Sequence, residues 1–268
     1  MLELSAVGLA GRTVVVTGGA QGIGAATAVA LARFGADVAL CDRDAAGLAR
    51  TAAEIEDLGR GALTAELDVR DEAAVDAFLG RAAEVLGPLD VLVNNAGGGF
   101  WAPFLDVRPK GQTALVDENF TSVTHVIRHG VPLMRDGGSI VNVTSVEAFR
   151  AAPGFAVYAA MKAAVEQLTR SLALELSHRR IRVNCVAPDA IPTPGDAPLA
   201  KAVGGRDGYA PYAAKVPLGL GAPEDCAGPI VFLAGELSRF MTGTTLHVDG
   251  GTSAACGWTR GPDGFFVP

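Results

Sequence analysis

The sequence predicts an α/β fold: a doubly wound, parallel β-sheet of about seven strands with helices on both faces, in a single domain spanning residues 1–268. Three observations lead to this prediction. Short apolar runs alternate with longer, Ala-rich segments of helical period along the chain. The apolar runs are continuous, which is typical of parallel strands buried on both faces. A glycine-rich turn joins the first apolar run to the first helical segment, as in the first βα unit of such sheets.

The first half of the chain contains four predicted strands and three predicted helices. Each strand is a run rich in apolar residues, and each helix ends at a glycine. The strands are Thr13–Thr17, Asp37–Cys41, Ala62–Leu67 and Asp90–Asn94; the helices are Gly22–Gly35, Ala45–Gly59 and Glu72–Gly87. Single helices between successive strands indicate right-handed βαβ units.

The second half continues the same alternation. The predicted order is a helical stretch at about 110–134, strand Ser139–Thr144, helix Tyr158–Ser177, strand Ile181–Val186, helix Glu224–Leu237 and strand Thr245–Asp249. An irregular stretch at about residues 188–222 follows the carboxyl end of a strand, so we expect a substrate loop there. Residues 252–268 form a tail beyond the last strand.

The composition excludes several classes of protein. Hydrophobic residues make up 49% and charged residues 19% of the chain, which indicates a packed globular domain. The net charge of −7 opposes binding to nucleic acid or to an anionic membrane surface. We expect neither a signal peptide nor a membrane span. The four cysteines lack CxxC spacing, so we expect no metal site, no disulfide framework and a cytoplasmic location.

The segment TGGAQGIG, Thr17–Gly24, predicts a site for the phosphates of a dinucleotide. Its spaced glycines let the backbone turn tightly and approach a pyrophosphate, while the helix that follows directs free N–H groups at the same point. The strand–turn–helix context makes the motif more specific than the glycines alone. The residues expected to contact the cofactor here are Gly18, Gln21, Gly22, Ile23 and Gly24.

Asp42, at the end of the second strand, favours NAD over NADP. A carboxylate at this point can accept both hydroxyls of the adenosine ribose, and it repels a 2′-phosphate. Gln21 is neutral and supplies no charge for that phosphate. Arg43 follows directly and is also a candidate cofactor contact, so NADP remains the less favoured alternative.

These motifs, taken in order, resemble the short-chain dehydrogenase/reductase family across nearly the whole chain. The residues that carry the resemblance are Thr17–Gly24, Asp68 with Val69, Asn94–Gly97, Asn119, Ser145, Tyr158 with Lys162, and Val248–Gly251. The resemblance implies a Rossmann-type fold, a nicotinamide cofactor and a homotetramer, with a homodimer as the alternative.

Tyr158 and Lys162 lie four residues apart, and positions i and i+4 share one face of a helix. A free tyrosine has a pKa of about 10 and is a poor base at neutral pH. A nearby ammonium favours the phenolate, so we expect Lys162 to lower the pKa of Tyr158.

The resemblance implies four catalytic roles. Tyr158 exchanges a proton with the substrate oxygen, and Lys162 tunes the tyrosine and binds the nicotinamide ribose. Ser145 hydrogen-bonds the same substrate oxygen. Asn119 holds a water that links Lys162 to solvent. The resemblance also implies cofactor contacts at Asp68, Val69, Asn95, Ala96, Gly97, Tyr158, Lys162, Pro188, Ile191 and Thr193.

The sequence departs from the family pattern after the sixth strand, where Pro188 is followed by Asp189 instead of the usual glycine. Glycine tolerates backbone angles that aspartate reaches less readily. Two outcomes remain open: the loop takes a different path, or Asp189 contacts substrate.

The substrate end is expected beyond the carboxyl ends of the strands. Candidate wall residues are Phe100, Trp101, Glu147, Phe149, Arg150, Phe155, Asp189 and the following loop to Pro217. The aromatic residues favour a roomy apolar pocket for a bulky secondary alcohol or ketone, although packing beneath a loop explains them equally well. Arg150 is either a ligand for a carboxylate or phosphate or, more simply, a solvated surface arginine.

The leading interpretation is an NAD(H)-dependent oxidoreductase that acts on a small-molecule secondary alcohol or ketone. The alternative is an NADPH-dependent ketoreductase for 3-oxoacyl thioesters or polyketides, against which Asp42 argues. A non-catalytic nucleotide-binding protein is a third option, which the set of Ser145, Tyr158 and Lys162 disfavours. The aromatic tail, with Trp258, Phe265 and Phe266, is expected to dock on a neighbouring subunit.

Overall fold

The computed structural model describes residues 7–196, 209–261 and 263–267. Seven parallel strands form one sheet, as the sequence predicts, and the structure places them in the order β3-β2-β1-β4-β5-β6-β7. The strands are β1 Thr13–Thr17, β2 Asp37–Asp42, β3 Ala62–Glu66, β4 Leu89–Asn94, β5 Met134–Val143, β6 Arg182–Pro188 and β7 Thr245–Val248. The predicted α/β class and doubly wound topology are therefore confirmed.

Helices cover both faces of this sheet. They are α1 Gly22–Arg33, α2 Ala45–Asp57, α3 Glu72–Leu86, α4 Pro109–Val116, α5 Ser122–Gly130, α6 Ala156–Glu175, α7 Ala210–Ala213, α8 Pro223–Ala234 and α9 Thr252–Ala255. The helical stretch predicted at about 110–134 is interrupted by one π-helical segment, Asp117–Thr121, which joins α4 to α5.

Two apolar cores lie on opposite faces of the sheet. Successive strand residues point to opposite faces, so Val14 and Val16 enter one core and Val15 enters the other. The first core includes Leu31, Leu48 and Ile230 from α1, α2 and α8; the second includes Leu79, Val126 and Val165 from α3, α5 and α6. This two-sided burial explains why the strands are continuously apolar in sequence.

The crevice of the sheet opens where the strand order reverses. β1 pairs with β2 on one side and with β4 on the other, so the connections that follow β1 and β4 leave in opposite directions. The loops at this point are bonded together. Thr17 Oγ1 accepts hydrogen bonds from the backbone N–H groups of Asn95, at 3.1 Å, and Ala96, at 3.0 Å.

The carboxyl-terminal region contains structure that the sequence pattern does not predict. After β7 the chain forms α9 and an antiparallel pair of short strands, β8 Thr259–Arg260 and β9 Phe266–Val267. Of the expected substrate loop, residues 197–208 lie outside the described residues, as does the side chain of Phe266. Within the described part of the chain, no helix is both long and apolar enough to cross a bilayer.

Candidate active site

A cleft of about 730 Å³ lies at the carboxyl ends of the strands, where the strand order reverses. It collects most of the residues that the sequence singles out. Those lining it are Gly18, Gln21, Gly22, Ile23, Asp42, Arg43, Asp68, Val69, Asn95, Ala96, Gly97, Ser145, Glu147, Phe155, Tyr158, Lys162, Pro188, Asp189, Ile191 and Thr193.

The glycine loop is shaped by backbone conformation and close packing. Gly18 and Gly22 have φ angles of +69° and +58°, a region that side chains disfavour. Gly24 packs inside the loop instead of lining the cleft, because a Cβ there would lie 2.0 Å from the carbonyl oxygen of Gly18. Among the described residues, Gln21 makes no side-chain cap at the start of α1. The open helix terminus therefore fits the phosphates of a dinucleotide.

Asp42, the last residue of β2, is oriented by the surrounding backbone. Its Oδ1 accepts from the N–H groups of Arg43, at 2.7 Å, and Asp44, at 3.1 Å. Its Oδ2 accepts from the N–H of Ala20, at 3.2 Å. Because the carboxylate lines the cleft, it can meet the hydroxyls of an adenosine ribose.

Arg43 lies at the same end of the cleft, beside two carboxylates. Its guanidinium is 4.0 Å from Asp68 Oδ2 and 3.6 Å from Glu118 Oε1. Hydrogen bonds from Arg70 lower the pKa of Asp68 to about 2. Asp68 is thus paired with cations at the point of the cleft where the resemblance implies a cofactor contact.

Helix α6 presents Tyr158 and Lys162 to the cleft from one face. Lys162 Nζ donates to the carbonyl oxygen of Val143 at 3.0 Å and lies 5.6 Å from the centroid of the Tyr158 ring. Glycines pass directly over both side chains. A Cβ on Gly97 would lie 3.1 Å from Lys162 Nζ, and one on Gly99 would lie 3.2 Å from the Tyr158 ring.

The electrostatics of this pair differ from the simple expectation. Burial raises the pKa of the Tyr158 phenol well above its usual range, hydrogen bonding with Ser145 lowers it, and three carboxylates raise it further. These carboxylates belong to Glu147, Asp196 and Asp189. Burial lowers the pKa of the Lys162 ammonium from 10.5 to about 8. In this structure, burial and negative charge therefore outweigh the predicted lowering of the phenol's pKa.

Asn119 lies in the π-helical segment and is fully buried. Within the described part of the chain, its amide bonds to the main chain: Nδ2 donates to Gly98 O at 2.8 Å and Leu115 O at 3.0 Å. Its Oδ1 accepts from Gly98 N at 3.1 Å. The side chain thus anchors the loop that passes over Lys162 and does not itself line the cleft.

A polar network borders the substrate end. Ser145 Oγ donates to Glu147 Oε2 at 2.6 Å, and Glu147 Oε1 accepts from Arg150 at 3.0 Å. Arg150 also donates to Asp189 Oδ2 and to the Tyr212 hydroxyl, each at 3.0 Å. Tyr212 in turn donates to Asp189 at 2.7 Å. The network links the turn that carries Ser145 to the end of β6 and to α7.

The network resolves the two alternatives for Arg150. The sequence favoured a solvated arginine, whereas the guanidinium is held by two carboxylates and a phenol. Burial opposes its charge, but the hydrogen bonds to Glu147 and Tyr212 and the charge of Asp189 outweigh it, so the pKa of Arg150 is raised. Its charge is thus compensated within the protein.

Asp189 occupies the position where the family has glycine, and the strained backbone lies one residue later. Ala190 has a φ of +56°, which is uncommon for a residue with a Cβ. The N–H of Ala190 donates to Asp189 Oδ1 at 2.8 Å. The substitution therefore comes with both a local bend and an ion pair to Arg150.

Four predicted wall residues do not line this cleft in the described structure: Phe100, Trp101, Phe149 and Arg150. Phe149 packs on His247, with ring centroids 4.7 Å apart. Trp101 packs against Gly154, whose added Cβ would lie 2.1 Å from the indole nitrogen. Both the Phe149 and the Trp101 side chains remain about half exposed. They therefore make local contacts at the protein surface and do not form a wall of the cleft.

The cleft also includes residues that received no individual role from the sequence, among them Glu118, Asp196, Tyr209, Tyr212 and Lys215. Several of these residues lie within the loop expected near the substrate, and that position is the signal by which the sequence could have identified them. Glu118 directly precedes the predicted Asn119, but nothing in its spacing marks it. In the described ranges, no group of three or more metal-ligating side chains is placed to hold a metal ion.

Comparison with known proteins places the chain among oxidoreductases. The family model described as Enoyl-(Acyl carrier protein) reductase matches residues 18–253. The chain is 38% identical over 266 residues to 3beta-hydroxysteroid dehydrogenase 1 of Eggerthella lenta, covering 94% of this chain and 98% of that protein. It is 41% identical over 247 residues to cis-4-hydroxycyclohexanecarboxylate dehydrogenase of Sinomonas cyclohexanicum, covering 91% and 97%.

Among solved structures, carveol dehydrogenase from Mycobacterium avium, in complex with NAD, superposes with a TM-score of 0.88 at 33% identity. The match covers 92% of this chain and 99% of that chain. Because the family model and these dehydrogenases match nearly the whole chain, the protein belongs to the short-chain dehydrogenase/reductase family, as an oxidoreductase with a nicotinamide dinucleotide cofactor.

Proposed function

We propose that this enzyme transfers a hydride between NAD(H) and a secondary alcohol or ketone that is bulky, apolar and cyclic. The observation that carries the proposal is the convergence of Ser145, Tyr158 and Lys162 in a single cleft whose other end is the glycine loop. The interconversion of an alcohol and a ketone requires a group that donates and accepts a proton, and this group must lie beside the dinucleotide site.

In this mechanism, Tyr158 exchanges a proton with the substrate oxygen, and Ser145 orients that oxygen. A bound nicotinamide supplies the hydride acceptor or donor. Lys162 lies below the Tyr158 ring and contributes positive charge that stabilises the phenolate. Asn119 maintains the loop over Lys162 and takes part in a water-mediated relay to solvent.

The cofactor proposal rests on Asp42. Its carboxylate is held in place by three backbone N–H groups and favours ribose hydroxyls over a 2′-phosphate. Arg43 supports NADP as the second candidate, although Asp68 and Glu118 already neutralise part of its charge. If Arg43 binds a 2′-phosphate, the protein would function as an NADPH-dependent ketoreductase.

Thermal unfolding with NAD, NADH, NADP and NADPH separates these candidates. A ligand that binds the folded state raises the free energy of unfolding by mass action, by about 2.7 kcal/mol at a hundredfold excess over its Kd, and so raises the melting temperature. We expect the larger shift with NAD and NADH. A larger shift with the phosphorylated pair would contradict the role given to Asp42.

The substrate proposal draws on the relatives, whose names specify a hydroxysteroid and a hydroxycyclohexanecarboxylate. The cleft includes Phe155, a predicted wall residue of the substrate end, which suits an apolar ring. The test is a turnover screen with cyclohexanol, a 3β-hydroxysteroid and a 3-hydroxyacyl thioester. We expect cofactor reduction with the cyclic alcohols, and activity with the thioester alone would overturn the proposal.

We further propose that the enzyme works in the cytoplasm as a homotetramer, with a homodimer as the alternative. The three buried cysteines are free thiols, which suits a reducing compartment. Large apolar side chains stand exposed at Leu105, Leu218, Phe240 and Phe265, with relative exposures of 92%, 86%, 102% and 74%. We expect these side chains to be buried against neighbouring subunits in the assembly.

A further inference from the structure

Two carboxylates that line the cleft engage the guanidinium of Arg150. Its Nη2 lies 3.0 Å from Glu147 Oε1 and 3.0 Å from Asp189 Oδ2. Both acidic side chains line the cleft, whereas Arg150, in the described structure, does not. A substrate in the cleft therefore meets the two carboxylates rather than the arginine.

Asp189 is held in place by donors from three directions. Besides the bond from Arg150, it accepts from the Tyr212 hydroxyl at 2.7 Å and from the Ala190 N–H at 2.8 Å. Its side chain is only 9% exposed, so its orientation is part of the folded framework. With the glycine usual in the family at this position, the carboxylate of Glu147 would balance Arg150, and Asp189 adds a further negative charge.

The negative charge at this end of the cleft extends to the proposed reacting groups. Besides burial, three carboxylates raise the pKa of the Tyr158 phenol, those of Glu147, Asp196 and Asp189. Their fields therefore reach the point where the substrate oxygen is proposed to bind. Lys215, on the loop side of the cleft, contributes one positive charge against these three carboxylates. A further anion brought to this place by a substrate would be repelled.

We infer that Asp189 is a specificity-determining residue: together with Glu147 it engages Arg150, so that the cleft prefers uncharged alcohols to alcohols that carry a carboxylate. To pair with Arg150, a substrate carboxylate would have to displace one of these side chains and lie beside the other. The inference rests on the proposed function and names the charge class of its substrate. It distinguishes this chain from cis-4-hydroxycyclohexanecarboxylate dehydrogenase, whose name specifies an anionic substrate.

The test compares two probes of the same shape, cis-4-hydroxycyclohexanecarboxylate and its uncharged amide, cis-4-hydroxycyclohexanecarboxamide. We measure kcat/KM for both at neutral pH with saturating cofactor, or their inhibition constants against cyclohexanol where turnover of either probe is too slow. We expect the wild-type enzyme to favour the amide about tenfold, the size of one partly screened interaction between charges. The charges of Lys162 and of the oxidised nicotinamide are common to every variant, so a change in this ratio reports the substituted group.

Two substitutions in the same network should move the ratio in opposite directions. Asp189→Asn removes one negative charge and keeps the size of the side chain, so the preference for the amide should fall about tenfold. Arg150→Met leaves the carboxylates of Glu147 and Asp189 without this cation, so the preference should rise. A merely structural role of the network predicts no such opposition. Asp57→Asn, at the exposed end of α2, is the matched control and should leave the ratio at its wild-type value.

Three outcomes overturn the inference: equal use of the two probes by the wild-type enzyme, a ratio that Asp189→Asn leaves unchanged, or a shift of both variants in the same direction. If one variant does not fold, the wild-type ratio and the other variant still decide the question. Failure to oxidise any cyclic alcohol overturns the proposed function and this inference with it. An enzyme that oxidises cyclohexanol but uses both probes equally contradicts the inference alone.

Discussion

At the residue scale, Lys162 and Tyr158 illustrate a conflict between burial and charge. Lys162 is only 5% exposed, yet it carries an ionisable group whose neutral form burial favours. Tyr158 stands beside carboxylates that oppose its phenolate. Such perturbed groups in a cleft are typical of functional sites, because structural stability alone would replace them with apolar residues.

Replacement of Lys162 by methionine should therefore stabilise the fold while it abolishes turnover. Below about pH 8 the lysine is charged in both states, and its burial costs up to about 3 kcal/mol. Between about pH 8 and 10.5 the folded state loses the proton first, so the cost declines as pH rises. Thermal unfolding across this range should show a higher melting temperature for Lys162→Met at pH 7 and a shrinking difference above pH 8. An equal or lower melting temperature at pH 7 would contradict this account.

Tyr158→Phe removes the proposed proton donor and acceptor while it keeps the ring. General acid–base groups contribute about 10²- to 10⁴-fold to rate, so we expect a loss of that order in kcat. Cofactor affinity should change little, because the ring still packs against Gly99. Steady-state kinetics and cofactor titration together check this. A kcat within tenfold of wild type would remove Tyr158 from the mechanism.

At the element scale, the start of α1 depends on a helix–loop contact that tolerates no side chain. Gly24 lies in the first turn of α1, directly against the loop carbonyl of Gly18. Glycine costs roughly 0.5–1 kcal/mol in a helix interior relative to alanine, so its presence here reflects packing. Gly80 in α3 has no such contact among the described residues.

A matched pair of helix substitutions tests this reasoning. Gly24→Ala should lower both the melting temperature and the cofactor affinity, because its Cβ would displace the glycine loop. Gly80→Ala should raise stability by about 0.5–1 kcal/mol and leave cofactor affinity unchanged. Denaturant unfolding and cofactor titration measure both effects. Equal behaviour of the two variants would mean that the loop adapts to a side chain.

At the scale of the whole molecule, the carboxyl-terminal tail extends the fold beyond the sheet. Trp258 borders a groove formed with Pro217, Gly251, Ala254 and Ala255, and Phe265 is 74% exposed. Exposed aromatic side chains next to the substrate loop suit burial against another subunit. The tail begins shortly after β7 and includes α9.

Deletion of residues 259–268 should therefore reduce the oligomeric state or the melting temperature. Analytical ultracentrifugation and thermal unfolding of the full chain and the truncated chain provide the measurement. Phe265→Ser is the milder comparison, since it removes one exposed ring and leaves the backbone in place. Unchanged assembly, stability and kinetics after the deletion would exclude a docking role for the tail.

Much of this molecule follows from local sequence. Continuous apolar runs between helices of period 3.6 determine the strand and helix positions, and the turn residues Gly18 and Gly22 determine the loop at β1. The spacing of Tyr158 and Lys162 determines that they share a face of α6, since one helical turn separates them. These features depend on residues within a few positions of one another.

The network around Arg150 was decided by the tertiary structure. Arg150 meets Asp189 and Tyr212 from positions 39 and 62 residues away, through loops whose paths no local period specifies. The same holds for Phe149, which packs on His247, and for the rise in the pKa of Tyr158. Burial and charge depend on which distant segments meet. The sequence therefore determined the fold and the spacing of the proposed catalytic pair, whereas long-range packing determined the charges around the site.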